Sequence, residues 1–213
     1  MLTFSTPASK PFVYLSGATI SPSGGSPVHA ARISDGLVKR AVVLPDGNQR
    51  IVGLKKAGDW LFLDCITSNA SPSYSSIAIG VLTVELWPIV ELRKNILNNT
   101  RELANLADEL RCEINQSHRW ISEFVSGSVK LRVGRLLVYL DSIAPFHYSK
   151  TIKLLTVQEI SEIVGARQET VSRILASLKR QRVLIKDSSS LSMRFHIAPE
   201  ALNNFINQNA CGH

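Results

Sequence analysis

TVQEISEIVGARQETVSRILASLKRQR, residues Thr156–Arg182, reads as two short helices around a glycine. Thr156 and Glu159 stand in the T-x-x-E spacing of a capping box, which opens the first helix. Ile160, Ile163 and Val164 form the apolar face of that helix. Val171, Ile174, Leu175 and Leu178 recur at helical spacing along the second. Gly165 lies between them, where a tight turn needs a backbone free to take positive φ. Small Ser161, four residues earlier, lets the second helix cross the first closely. This is a helix-turn-helix, whose second helix is built to enter the major groove of DNA.

On the C-terminal side, Val183–Lys186 and Met193–Ile197 read as two strands joined through Asp187-Ser188-Ser189-Ser190, a wing beside the motif. Pro199 then stands where a last helix, Glu200–Asn207, would begin. On the N-terminal side, Val129–Ile143 is an amphipathic helix with Leu131, Leu136, Leu137, Leu140 and Ile143 inward; Ala144-Pro145 ends it. Gly127, between two serines, breaks it from a longer helix upstream. That helix starts at Asn99 with a second N-x-x-E pattern, closed by Glu102. Leu103, Ala107, Leu110, Ile114, Ser117 and Ile121 follow at alternating spacings of four and three, a heptad seam of about three repeats. A parallel coiled coil between two copies of the chain explains it most simply. A single amphipathic helix packed on its own domain is the alternative.

Upstream, the pattern becomes β from Ile33. Leu37–Leu44 and Gln49–Leu54 flank Pro45-Asp46-Gly47-Asn48, a strong hairpin signal. Gly58-Asp59 is a further turn, followed by the apolar run Trp60–Leu63. Asn69–Ser76 is turn-prone, and Ile77–Leu86 reads as another strand. Pro88–Ile96 is a candidate short helix. Residues 1–32 carry the weakest pattern: from Ser16 to Pro27, nine of twelve residues are Ser, Pro or Gly, which predicts a loop or a poorly ordered segment. The expected fold class is α+β, in three parts: a small, shortened antiparallel β-roll over 1–98 with a poorly ordered N-terminal segment, a dimerisation helix over 99–127, and a winged helix-turn-helix over 128–213.

The net charge of +7 is unevenly divided. Residues 129–213 hold 12 Lys/Arg against 6 Asp/Glu, whereas residues 1–128 hold 12 against 11. The excess cation surrounds the helix-turn-helix, as a surface that displaces counterions from phosphates requires. No apolar run approaches the ~20 residues of a membrane helix, and the N-terminus lacks a signal-peptide pattern. Cys65, Cys112 and Cys211 are odd in number and widely spaced, fitting neither a disulfide framework nor a metal site, so a cytoplasmic location is expected. No catalytic triad, paired carboxylates or metal motif is recognisable, and none is expected. His147 beside Tyr148 reads as a polar loop, and His118 as a surface helix residue rather than a haem ligand.

The order roll, long helix, Gly165-Ala166-Arg167-Gln168-Glu169-Thr170-Val171-Ser172-Arg173-Ile174-Leu175, wing, and Ala198-Pro199-Glu200-Ala201-Leu202 resembles the CRP/FNR superfamily of bacterial transcription regulators. The resemblance covers roughly residues 33–207, is strongest over 129–199, and leans toward the cyanobacterial branch. It implies a homodimer, joined through helix 99–127, whose helices 167–180 read the two half-sites of a palindrome in double-stranded DNA. It implies base contacts from Gln168, Glu169 and Arg173, with Ser172 on the same face, and phosphate contacts from Gln158 and Thr170. Arg167 stands where a Ser or Thr cap is usual and adds a cation near phosphate. Gln168 replaces an arginine, which shifts preference toward adenine. Glu169, Ser172 and Arg173 together look like the fumarate–nitrate regulator branch. Related activators touch RNA polymerase through a loop whose short counterpart here is Ala144–Thr151.

The effector side departs from the family. Phe62 and Leu63 follow Gly58-Asp59 where a ribose-binding Gly-Glu pair would stand, and Tyr74-Ser75 replace the phosphate-binding Arg-Ser. A cyclic nucleotide would lose both its cation and its carboxylate partner, so cyclic AMP is not expected and the effector is unknown. The iron–sulfur cysteine cluster of some members is absent, so no cofactor is expected. A second reading keeps the fold but makes the protein a ligand-sensing or partner-binding co-regulator with weak DNA specificity. Activator and repressor remain equally open.

Overall fold

The computed structural model describes residues 11–68, 71–144, 151–187 and 194–210. They form two compact units, which divide between His118 and Arg119. The expected loop around His147 and Tyr148, the wing turn at Ser188–Ser190 with Met193, Cys211 and the first ten residues lie outside the described residues.

The first unit is built on β1 (Phe12–Tyr14), β2 (Thr19–Ser21), β3 (His29–Val43), β4 (Gln49–Lys56), β5 (Trp60–Leu61) and β6 (Ser75–Pro88). The short helix α1 (Asp64–Thr67) precedes β6, and α2 (Ile89–Leu97) and the start of α3 (Thr100–Phe124) follow it. All strand pairs are antiparallel, in the order β1-β6-β3-β4, with β2 also on β6 and β5 on β3. The hairpin forms where Pro45–Asn48 predicts it: Asn48 N–H donates to Asp46 Oδ1 at 3.0 Å, and Gly47 takes φ 81°.

Strands of fifteen and fourteen residues twist and curl, and β3 shifts register against β6 between Ile33 and Leu37, while β4 carries one extra residue, Val52, opposite Arg40 and Ala41. Gly36 sits in the first of these shifts at φ 100°, and a Cβ there would meet the Val81 carbonyl oxygen at 2.6 Å. The curl encloses Ala30, Ile33, Val38, Leu61, Leu82 and Val84, closed from the helix side by Leu92, Ile96 and Leu106. Two sequence expectations are corrected here. The Ser/Pro/Gly-rich stretch from Ser16 to Pro27 contains a strand, β2, and β3 begins at His29 rather than Ile33. Both segments are held by pairing with β6, a partner more than fifty residues away that no local pattern reveals.

Helix α3 starts as its cap predicts, with Asn99 Oδ1 accepting the N–H groups of Arg101 and Glu102 at 3.0 and 3.3 Å. Leu106 packs into the roll core, and Leu110 is half-buried beside it. Leu103, Ile114 and Ile121 remain 46%, 55% and 58% exposed, and Ala107 and Ser117 are exposed with them.

In the second unit, the last turn of α3 meets α4 (Val129–Ile143) across Gly127, which takes φ 88°. Ser128 caps α4 by accepting the Leu131 N–H. Trp120, Phe124 and Tyr139 form an edge-on aromatic cluster with centroids 4.6–6.0 Å apart, joining the two helices. Beyond α4 come β7 (Thr151–Lys153), α5 (Val157–Val164), α6 (Gln168–Arg180), β8 (Leu184–Lys186), β9 (Arg194–Ile197) and α7 (Pro199–Ala210). The wing sheet has the order β7-β9-β8. Strand β7 starts at Thr151, the last residue of the expected loop Ala144–Thr151; it forms because Thr151–Lys153 pairs with Arg194–His196. Gly134 lets α7 lie against α4, since a Cβ there would stand 2.8 Å from Ile206 Cγ1.

Gly36→Ala combines backbone strain with a backbone clash, and is expected to destabilise the protein by about 2 kcal/mol or more. Urea unfolding followed by circular dichroism measures it. An unchanged midpoint would mean the bend of β3 does not depend on this glycine.

Candidate nucleic-acid interface

The turn between α5 and α6 begins with a capping box made in full. Thr156 Oγ1 accepts the Glu159 N–H at 3.1 Å, and Glu159 Oε2 accepts the Thr156 N–H at 3.0 Å. Gly165 closes α5 in the left-handed region at φ 61°, ψ 54°. Its N–H and that of Ala166 both donate to the Ser161 carbonyl, at 2.8 and 3.2 Å. Ser161 is buried, with its hydroxyl turned back onto the Gln158 carbonyl at 2.7 Å, so it presents little bulk to α6.

One face of α6 is consumed by packing: Val171, Ile174, Leu175 and Leu178 are buried with Ile160, Ile163 and Val164. The opposite face carries Gln168, Glu169, Ser172 and Arg173, all exposed. Glu169 and Arg173 are one turn apart, with Arg173 Nη2 donating to Glu169 Oε1 at 2.5 Å. At 73% and 78% side-chain exposure this pair adds only ~0.3–0.5 kcal/mol to stability, so it leaves both groups free to exchange partners. Thr170 is exposed beside them. Gln158, on α5, is exposed too, with its Nε2 donating to Glu162 Oε1 at 2.9 Å. Arg167 occupies the N-cap of α6 without a side-chain cap hydrogen bond, since a guanidinium has only donors and cannot accept the helix N–H groups.

Cations beyond those singled out from the sequence extend this side. Arg182 ends α6 at φ 55°, the left-handed position of a Schellman turn: its N–H donates to the Lys179 carbonyl, and that of Val183 to the Leu178 carbonyl. Lys179 Nζ lies 5.0 Å above the Phe195 ring of β9, and so ties α6 to the wing. The cluster Lys179-Arg180-x-Arg182 is visible in the sequence as a charge run; which face it takes follows only from the turn.

On the roll, the residues after the Gly58-Asp59 turn face inward. Phe62 is buried in the left-handed region at φ 65°, and Leu63 is buried beside it. Among the described residues no group of three His, Cys, Asp or Glu could hold a metal. A cleft of about 20 Å³, lined by Lys55, Trp60, Cys112, Glu113 and Gln116 among others, has room for about one water. Burial pushes the Cys65 thiol up to about 11, which leaves it protonated and unreactive at neutral pH.

Comparison with known proteins agrees with this geometry. Residues 131–203 match the Crp-like helix-turn-helix domain. The transcriptional activatory protein AadR of Rhodopseudomonas palustris is 27% identical over 154 residues, which span 71% of this chain and 63% of that protein. The nitrogen fixation regulation protein FixK of Bradyrhizobium diazoefficiens is 25% identical over 198 residues, 89% of this chain and 80% of FixK. Among solved structures, FixK2 from Bradyrhizobium japonicum superposes with a TM-score of 0.79 at 21% identity, covering 92% of this chain and 96% of FixK2. Residues 131–203 thus carry a Crp-like helix-turn-helix domain, and the chain as a whole has the α+β fold of the solved FixK2 structure, with roll, long helix and winged helix-turn-helix in that order.

Proposed function

We propose that the chain acts as a homodimer that reads a palindromic site in double-stranded DNA with α6, and that it does not respond to cyclic nucleotides. The observation that carries the first part is the sorting of α6 into one buried apolar face and one exposed face bearing Gln168, Glu169, Ser172 and Arg173. Arg173 donates bidentately to guanine O6 and N7, Glu169 accepts from cytosine N4, and Gln168 pairs with adenine. Gln158, Arg167 and Thr170 hold phosphates, Arg167 with a guanidinium that its own cap does not use.

The dimer reading rests on the exposed seam of α3. Leu103, Ile114 and Ile121 are exposed among the described residues, and a second α3 in register would bury them. Two α6 helices then face half-sites about 34 Å apart. Helix 99–127 joins the copies, with the roll over 1–98 and the DNA-binding part over 128–213. No helix among the described residues is long and apolar enough to cross a membrane. The reading against cyclic nucleotides is supported by Phe62 and Leu63, both buried where a ribose-binding pair would need to face the ligand.

In vitro selection from random duplexes should return a two-fold symmetric sequence. Selection of no symmetric site, with only salt-sensitive nonspecific binding, would favour a co-regulator of weak DNA specificity instead. On the selected site, Arg173→Ala should cost ~1–3 kcal/mol and relax preference at one base position. Arg167→Ser restores a capping oxygen and should stabilise the fold by ~0.5–1 kcal/mol. The same change should weaken DNA binding evenly across sequences and lower the salt slope by about one. Gains in both stability and affinity would remove Arg167 from the phosphate contacts. Ile114→Asp places a charge in the seam at an exposed position; sedimentation equilibrium should show a folded monomer where the parent is a dimer.

A further inference from the structure

Glu162 lies in the buried run of α5 from Ile160 to Val164 and is itself 9% exposed. Only one of its oxygens is used. Oε1 accepts from Gln158 Nε2 at 2.9 Å, while Oε2 is buried and meets no donor among the described residues. None of the ion pairs among the described residues includes it. A carboxylate left in this state costs the fold stability, because a single amide offsets its desolvation. Its buried neighbours Ile160, Ser161, Ile163 and Val164 are apolar or small, so an apolar side chain of equal volume would suit the packing better.

What the carboxylate does provide is a direction for one side chain. Gln158 stands one turn earlier, near the start of α5, and is exposed. A glutamine amide can turn either its nitrogen or its oxygen toward a neighbour. A carboxylate only accepts, so it takes the nitrogen and fixes the amide one way round. The nitrogen keeps a second hydrogen, directed away from Glu162 and free to meet a phosphate oxygen. The amide oxygen, which a phosphate would repel, is held off that side by the same bond.

We infer that Glu162 is a positioning residue for DNA binding: from inside the motif, touching no nucleotide, it holds the Gln158 amide nitrogen-outward for a backbone phosphate. This role rests on Gln158 holding a phosphate. A free glutamine side chain has to be ordered when DNA arrives, which weakens binding by about three- to ten-fold. With Glu162 in place the ordering is complete beforehand. A second effect has the opposite sign. Glu162 is an anion beside a polyanion, so repulsion alone predicts that removing it tightens binding. Repulsion is screened by salt and falls with distance, whereas the ordering acts at the contact itself; ordering therefore prevails.

A double-mutant cycle on DNA binding by the full chain separates the two effects, measured on the duplex selected in vitro and on one of unrelated sequence. Glu162→Met keeps the volume and removes the acceptor. It should melt at or above the parent's temperature, yet bind both duplexes about three- to ten-fold more weakly. Gln158→Ala should weaken both to a similar degree without changing the salt slope, since an amide displaces no counterion. In the doubly substituted protein the two losses should not add. Glu162→Gln has the same shape but can also donate, so it holds Gln158 either way round. It should bind between the parent and Glu162→Met, and it carries the cycle if Glu162→Met folds poorly. Binding by the Glu162 variants as tight as the parent's, or tighter, is the repulsion result and overturns the inference. Losses that add in full overturn it too, since Glu162 then acts on the fold and not through Gln158. Gln158→Ala binding like the parent would remove Gln158 from the phosphate contacts, and the inference with it. Because a phosphate contact is felt equally on any sequence, the unrelated duplex keeps this result apart from base reading by α6.

Discussion

The double hydrogen bond at the Ser161 carbonyl is the constraint on which the rest of the second unit depends. Accepting the N–H groups of both Gly165 and Ala166, it ends α5 in a single left-handed residue and sends the chain back at once. A residue with a Cβ at position 165 would be strained there, and a bulkier side chain than Ser161 would hold the helices apart. Once the reversal is set, packing Ile160, Ile163 and Val164 against Val171, Ile174, Leu175 and Leu178 leaves α6 only one rotational setting. The exposed row of Gln168, Glu169, Ser172 and Arg173 is the complement of that packing. The same turn places Arg167 at a cap that its side chain does not serve, so stability is traded for a cation at the helix entrance.

The long helix α3 has to satisfy two surfaces at once. Leu106, Leu110 and Glu113 face the roll, whereas Leu103, Ala107, Ile114 and Ser117 are exposed. A helix of 25 residues can present two stripes only if they lie on different sides, and the heptad spacing keeps the second stripe straight. Leu110 stands where the two meet, half-buried on the roll while belonging to the seam by its spacing. Contact with the roll is polar at its far end, through Arg40, Lys55, Glu113 and Gln116. Buried charges of this kind cost desolvation and stabilise little unless every donor is met. Arg40 meets Glu113 with one nitrogen of three, and that is what makes the roll interior chemically specific rather than a plain hydrophobic core.

Much of the architecture is legible because it is locally encoded. The Thr156/Glu159 box, the Asn99 cap, the Pro45–Asn48 turn and the Val129–Ile143 helix all form at the positions the sequence predicts, each within a few residues of its signal. The reading face of α6 is legible too, since a 3.6-residue period leaves no other side for the polar residues. The strands β1, β2 and β7 escape such reading. Phe12–Tyr14 and Thr19–Ser21 are three-residue segments in turn-rich sequence, and Thr151–Lys153 follows a stretch that reads as a loop; all three exist through their partners.

The sequence by itself therefore determined the helix-turn-helix, its caps, its wing strands and the sidedness of α6, because hydrogen bonds and hydrophobic periods a few residues apart decide them. Tertiary structure alone decided which polar residues meet inside the roll. Arg40 and Glu113 are 73 positions apart, and Lys55 and Gln116 are 61. In the sequence Arg40 is one basic residue in an alternating strand, and Ser76 one serine in a turn-prone run. Only the antiparallel register of β3 with β6, and the packing of α3 above them, turns those residues inward together and leaves one edge of a guanidinium unpaired.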